Sequence, residues 1–101
     1  MNEDIRFRIS KAALRRLYRD SNATGIAASQ AFKRKARLLA RTARTTDPKF
    51  SVSGASLNRA FSVALHSDLY ASLVLIAKRL DVPAQYIGEL VCCFDQTGEL
   101  Q

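Results

Sequence analysis

The chain has 101 residues, nearly half of them apolar, which suits one compact domain, or two small halves sharing a core, and marks it as globular rather than disordered. Sixteen Lys and Arg against nine Asp and Glu leave a formal charge of +7, which favours a polyanionic partner such as nucleic acid or an anionic membrane surface. No apolar run is long enough to cross a bilayer, and Met1 to Asp4 is acidic and polar where a secretion signal would be basic and then apolar, so the expected location is cytoplasmic.

From Asp4 to Ser10 apolar and polar residues alternate strictly: Ile5, Phe7 and Ile9 share one face, and Arg6 and Arg8 the other. This predicts a short half-buried strand. Ser10 suits a helix N-cap, and Leu14, Leu17, Tyr18 and Ser21 follow at helical steps up to the break at Asn22–Gly25. A second helix is predicted from Gly25 to about Arg44, with Ala28, Ala31, Phe32, Ala36 and Leu39 on one side and Lys33, Arg34, Lys35, Arg37, Arg41 and Arg44 spread around the others. Thr45 to Ser56, with Asp47-Pro48 and Ser53-Gly54, has turn chemistry and reads as a connector.

The opening pattern then returns. Phe61, Val63 and Leu65 alternate with Ala60, Ser62 and Ala64, predicting a second strand, after which Ser67 is expected to cap a helix through Leu69, Leu73, Ile76, Ala77 and Leu80. Asp81-Val82-Pro83 breaks that helix, Pro83 fitting the first turn of a last one that carries Tyr86, Ile87, Leu90, Val91 and Phe94. Strand, helix, turn and helix thus occur twice, Ile5, Phe7 and Ile9 registering on Phe61, Val63 and Leu65 at an offset of 56, which reads as an internal duplication.

Residues able to carry covalent or metal chemistry are few. His66 is the only histidine, Cys92 and Cys93 are neighbours in an apolar helical segment, and Gly25, Gly54, Gly88 and Gly98 are too scattered for a phosphate loop. No catalysis, metal or other cofactor is expected.

With these elements in hand, the chain resembles the ribbon-helix-helix family over residues 4–44 and 58–94, and its tandem order resembles TraY-type relaxosome accessory proteins, to which Asp47-Pro48-Lys49-Phe50 is also similar. The resemblance implies a mainly α fold with a short two-stranded antiparallel β-ribbon, a first basic unit at 1–46, a connector at 47–57 and a second unit at 58–101 that completes ribbon and core. It implies sequence-specific binding of double-stranded DNA, as a plasmid-transfer accessory or a transcriptional regulator. A two-stranded ribbon fits the major groove and Arg matches the paired acceptors of guanine, so Arg6 and Arg8 are the base-reading candidates, with Asn58 and Ser62 from the second strand. In the family the start of the second helix lies on the DNA backbone. The matching positions are Ile26, Ala27, Ala28 and Ser29, with Pro83 to Gln85 in the second unit. Against that second phosphate site stand the missing N–H of Pro83 and the nearby acids Asp81 and Glu89. Lys11, Arg15, Lys33 and Arg34 are further phosphate candidates.

Residues 1–50 carry thirteen Lys and Arg and four acids, whereas 51–101 carry three and five, so the first unit is expected to dominate DNA contact and the second to offer a surface to a relaxase or other protein. The strands could pair within one chain, as an internal pseudo-dimer, or between two chains in a homodimer. Two other readings compete. Ile76 to Ile87 resembles the helix-turn-helix of phage-type repressors, with Asp81 in place of the turn glycine and a reading helix, Pro83 to Leu90, that carries no base. An adaptor or antitoxin-like module would instead dock a protein through Tyr86, Val91, Cys92 and Phe94. A membrane-surface role for the basic helix at 27–44 has against it a narrow, alanine-rich apolar stripe.

Overall fold

A computed structural model describes residues 2–45 and 56–94. It is mostly helical around one two-stranded antiparallel sheet: β1 (Asn2–Ile9), α1 (Lys11–Thr24), α2 (Ala28–Thr42), β2 (Arg59–His66), α3 (Ser67–Arg79), a single 3₁₀ turn (Ala84–Tyr86) and α4 (Ile87–Cys93). β1 begins two residues before the expected alternation and ends at Ile9, and β2 runs one residue beyond it at each end. The expected connector falls largely on residues outside those described, as does Asp47 to Phe50.

Pairing follows from the alternation. Ile5 lies opposite Val63, Phe7 opposite Phe61 and Arg6 opposite Ser62. Directly opposed residues share a face, so Phe7, Ile9, Val63 and Leu65 turn inward together and are buried. A two-stranded ribbon cannot bury an apolar face by itself. The helices cover it: α4 packs on β1, α2 on β2, and α1 and α3 flank α2. Phe32 of α2 is the hub, its ring centroid 5.0 Å from that of Phe7 and 5.4 Å from that of Phe61. Burying each such side chain contributes about 1.5–3 kcal/mol.

The helix ends follow the sequence signals with instructive exceptions. Ser10 caps α1, its Oγ accepting from Ala13 N–H at 3.1 Å, and Gly25 ends that helix in the left-handed region at φ 71°. The expected cap at Ser67 is corrected to His66, whose Nδ1 accepts from Asp68 N–H at 3.2 Å, leaving Ser67 as the first helical residue. Pro83 precedes a 3₁₀ turn, and the last α-helix starts only at Ile87. Tyr18, expected on the apolar side of α1, is half-exposed, because the buried line runs through Ala13 and Leu17.

An offset of 56 runs through the backbone well beyond the strands. Lys11 and Ser67 open α1 and α3, and Gly25 and Asp81, the left-handed residues among those described, are the same distance apart. Ala27 and Pro83 are extended residues with nearly equal dihedrals, φ −63°, ψ 152° and φ −57°, ψ 145°, each just before a helical segment at Ala28 or Ala84. Ile26 N–H bonds to the carbonyl of Ser21, and Val82 N–H to that of Ala77.

Polar groups tie the halves together. Glu89 of α4 is buried, its two oxygens accepting from Ser10 N–H at 2.6 Å and Ser10 Oγ–H at 3.0 Å. That completes a capping box in which the acid comes from a distant helix and not from three residues on. Lys35 is buried too, donating to Asp20 of α1 and, at 2.8 Å, to the Cys92 carbonyl near the end of α4. The expectation of Lys35 among surface bases is therefore corrected. Arg79 donates to the Ala43 carbonyl at 2.6 Å, joining the ends of α3 and α2.

Candidate nucleic-acid interface

Each strand offers alternate residues to the side away from the core. On β1 these are Asp4, Arg6 and Arg8, and on β2 they are Ala60, Ser62 and Ala64, with Arg8 opposite Ala60 and Asp4 opposite Ala64. Arg6, Arg8, Ala60 and Ser62 are exposed, and Ala64 is half-buried. The ribbon thus brings Arg6, Arg8 and Ser62 onto one open face. Asn58 is exposed just ahead of β2 and outside the strand. Asp4, Ala60 and Ala64 carry no expected role, although the alternation that picks out Arg6 and Arg8 contains them.

That face is lopsided. Arg8, opposite Ala60, stands toward one end, whereas Asp4, opposite Ala64, stands toward the other. Arginine forks match the O6 and N7 acceptors of guanine, alanine methyls suit the thymine methyl, and a carboxylate can accept from cytosine N4.

The first helix start is open to an anion. Ala27, at the N-cap of α2, makes no side-chain cap bond, and no acid lies in the first turn. The first turn itself thus supplies no carboxylate to the N–H groups of Ala28 and Ser29, and Ala27 is exposed while Ile26, Ala28 and Ser29 are half-buried. Lys11, Arg15 and Arg34 are exposed and Lys33 is half-buried. At the second start, Glu89 is turned into the core on Ser10, so it is not the surface acid expected there, and Pro83 still lacks its N–H. A groove beside that start is lined by Arg6, Arg8, Tyr70, Gln85 and Tyr86, so side-chain donors stand where backbone ones are scarce.

No family model, curated protein or solved structure matches this chain.

Two competing surfaces prove to be largely covered. In the presumed reading helix of the helix-turn-helix alternative, Pro83 to Leu90, the stretch from Ile87 to Leu90 is buried, while Pro83, Ala84 and Gln85 are exposed. Val91, Cys92 and Phe94, offered as an adaptor surface, are buried, and Tyr86 is half-buried. Burial pushes the Cys92 thiol up to about 12, against the opposing pull of Lys35, and raises Cys93 in the same direction. Among the described residues no helix is long and apolar enough to cross a membrane.

Proposed function

We propose that this chain is a tandem ribbon-helix-helix protein that binds a specific site in double-stranded DNA, laying its ribbon in the major groove, as a plasmid-transfer accessory or a transcriptional regulator. One observation carries the reading: an antiparallel ribbon whose lower face is core turns Arg6, Arg8 and Ser62 outward together. Such an arrangement suits direct readout because a two-stranded ribbon is narrow enough for the groove and guanidinium forks reach base edges.

The offset of 56 supports the tandem reading. If the halves are equivalent at that spacing, Arg6 faces its own counterpart Ser62, and a two-fold axis through that pair exchanges Phe7–Phe61 with Val63–Ile5. A ribbon built by two related strands has this property, and chance pairing of unrelated strands has no reason to. The matching left-handed residues, Gly25 and Asp81, extend the correspondence to the helix pairs.

Selection of bound duplexes from a random-sequence pool, followed by binding to a selected and a scrambled duplex, tests the proposal. Replacing Arg6 and Arg8 with Ala should cost about 1–3 kcal/mol for each guanidinium fork removed from a guanine edge, and shrink the preference for the selected duplex. A double variant with undiminished discrimination would remove the ribbon as reader.

A further inference from the structure

Beyond the ribbon, α2 carries a row of bases that no base-reading role uses. Arg34, Arg37 and Arg41 recur at steps of three and four, all exposed, opposite the buried Phe32, Ala36 and Leu39, and Arg44, also exposed, follows just past the helix end. Two concave surfaces place this row against the ribbon. One, of about 270 Å³, joins Lys33 and Arg37 to Asn2, Ala64 and His66 at one ribbon end. The next, of about 310 Å³, is lined by Arg34, Arg37, Leu38 and Arg41. Arg37 belongs to both, so the two surfaces are continuous from the ribbon end down the helix. The acids lie at the ribbon end: Asp68 on the first rim, 3.8 Å from His66 Nδ1, with Glu3 and Asp4 opposite Leu65 and Ala64, so the positive charge gathers along the helix.

The other half offers no such row. Positions 56 further on from Lys33, Arg34 and Arg37 hold Glu89, Leu90 and Cys93, the first two buried in the core. From Arg34 to Arg41 the row spans roughly 10 Å at 1.5 Å per residue, comparable to the advance of about three successive phosphates along one strand and far longer than a single ion needs.

We infer that Lys33, Arg34, Arg37 and Arg41 form a phosphate track that engages the duplex on one flank of the ribbon, while the opposite flank has no counterpart. The inference rests on the DNA-binding reading and adds to it a direction: the contacted site is longer on one side. The phosphodiester backbone is the partner because the row carries cations with almost no apolar surface between them, Leu38 being half-buried.

The test uses the full chain and a selected core duplex of about one helical turn, lengthened by another turn on the left, on the right, or on neither side. Wild type should gain about tenfold or more in affinity from one extension only, with a salt slope steeper by about 3 as three or four more phosphates are neutralised. Arg34→Ala/Arg37→Ala/Arg41→Ala should abolish that gain yet bind the core duplex with unchanged sequence preference. Alanine keeps the helix, so a folding defect does not imitate this result. Equal gain from both extensions, or a gain that survives in the triple variant, overturns the inference, and in the second case the row serves another polyanion. Failure of wild type to bind any duplex overturns the DNA-binding reading as well, whereas core binding that needs Arg6 and Arg8 without flank dependence overturns the track alone.

Discussion

Cys92 and Cys93 differ only in how far the last helix buries them, and that difference has a chemical consequence. Cys92 is fully buried and its thiol is pushed to about 12, so at pH 8 almost none of it is thiolate. An alkylating reagent at that pH should label Cys93 slowly, and Cys92 only after denaturant is added; two equally fast modifications in the native protein would contradict the packing of α4. The same shift sets a pH dependence. The folded thiol holds its proton more tightly than an unfolded one, whose ordinary value is 9.0, so this contribution is intact below pH 9 and is lost as pH rises toward 12. Denaturant titrations at pH 8 and pH 11 should show lower stability at pH 11. Residue roles of this kind were only partly legible in the sequence. Lys35 lies within the apolar stripe that runs from Ala31 and Phe32 to Leu39, so helical periodicity points it inward, but its charge argues for solvent, and the partners that resolve the conflict, Asp20 and the Cys92 carbonyl, are remote in sequence. Glu89 was hidden for the same reason: its partner Ser10 is 79 residues away.

At the scale of elements, α4 depends on one small residue. A Cβ built on Gly88 would lie 2.8 Å from Ile9 Cγ2 and 2.9 Å from Phe7 Cβ, so the helix reaches the ribbon only because that atom is missing. Gly88→Ala should therefore destabilise the fold by about 1–3 kcal/mol through overpacking, despite the better helix propensity of alanine. Equilibrium unfolding reads this directly, and unchanged or increased stability would mean that α4 does not seat against β1 as described. Strands and long helices were legible because their signals are local: alternation in β1 and β2, a serine cap and glycine stop on α1, a buried stripe on α2. The weak points were short-range competitions at boundaries. His66 outcompetes Ser67 as a cap because its ring nitrogen reaches Asp68 N–H, and the 3₁₀ turn after Pro83 delays α4. Nor could sequence spacing say that Asp81, an ordinary residue where a glycine is usual, would take the left-handed conformation at φ 58°.

Across the whole molecule, charge and symmetry pull in different directions. Several backbone landmarks recur at a spacing of 56 residues, but the bases do not: those of α2 have acid, apolar and thiol residues at the matching places in α4. A scaffold with its bases gathered on one side suits a partner approached in a single orientation. The outer face of the ribbon could be read from the sequence as soon as the strands were recognised, since every second residue had to point away from Phe7, Ile9, Val63 and Leu65. Its register could not, because alternation fixes a face and leaves the pairing partner free by steps of two residues. Whether the outward arginines touch bases is tested most directly by base-analogue interference. In a selected duplex, guanines are replaced one at a time by an analogue lacking the N7 acceptor, and affinity is measured for wild type and for Arg6→Ala/Arg8→Ala. At one or two positions the change should weaken wild type by about 1–3 kcal/mol and leave the double variant nearly unaffected. Wild-type binding that is indifferent to every major-groove substitution, or equal weakening of both proteins, would contradict readout by the ribbon.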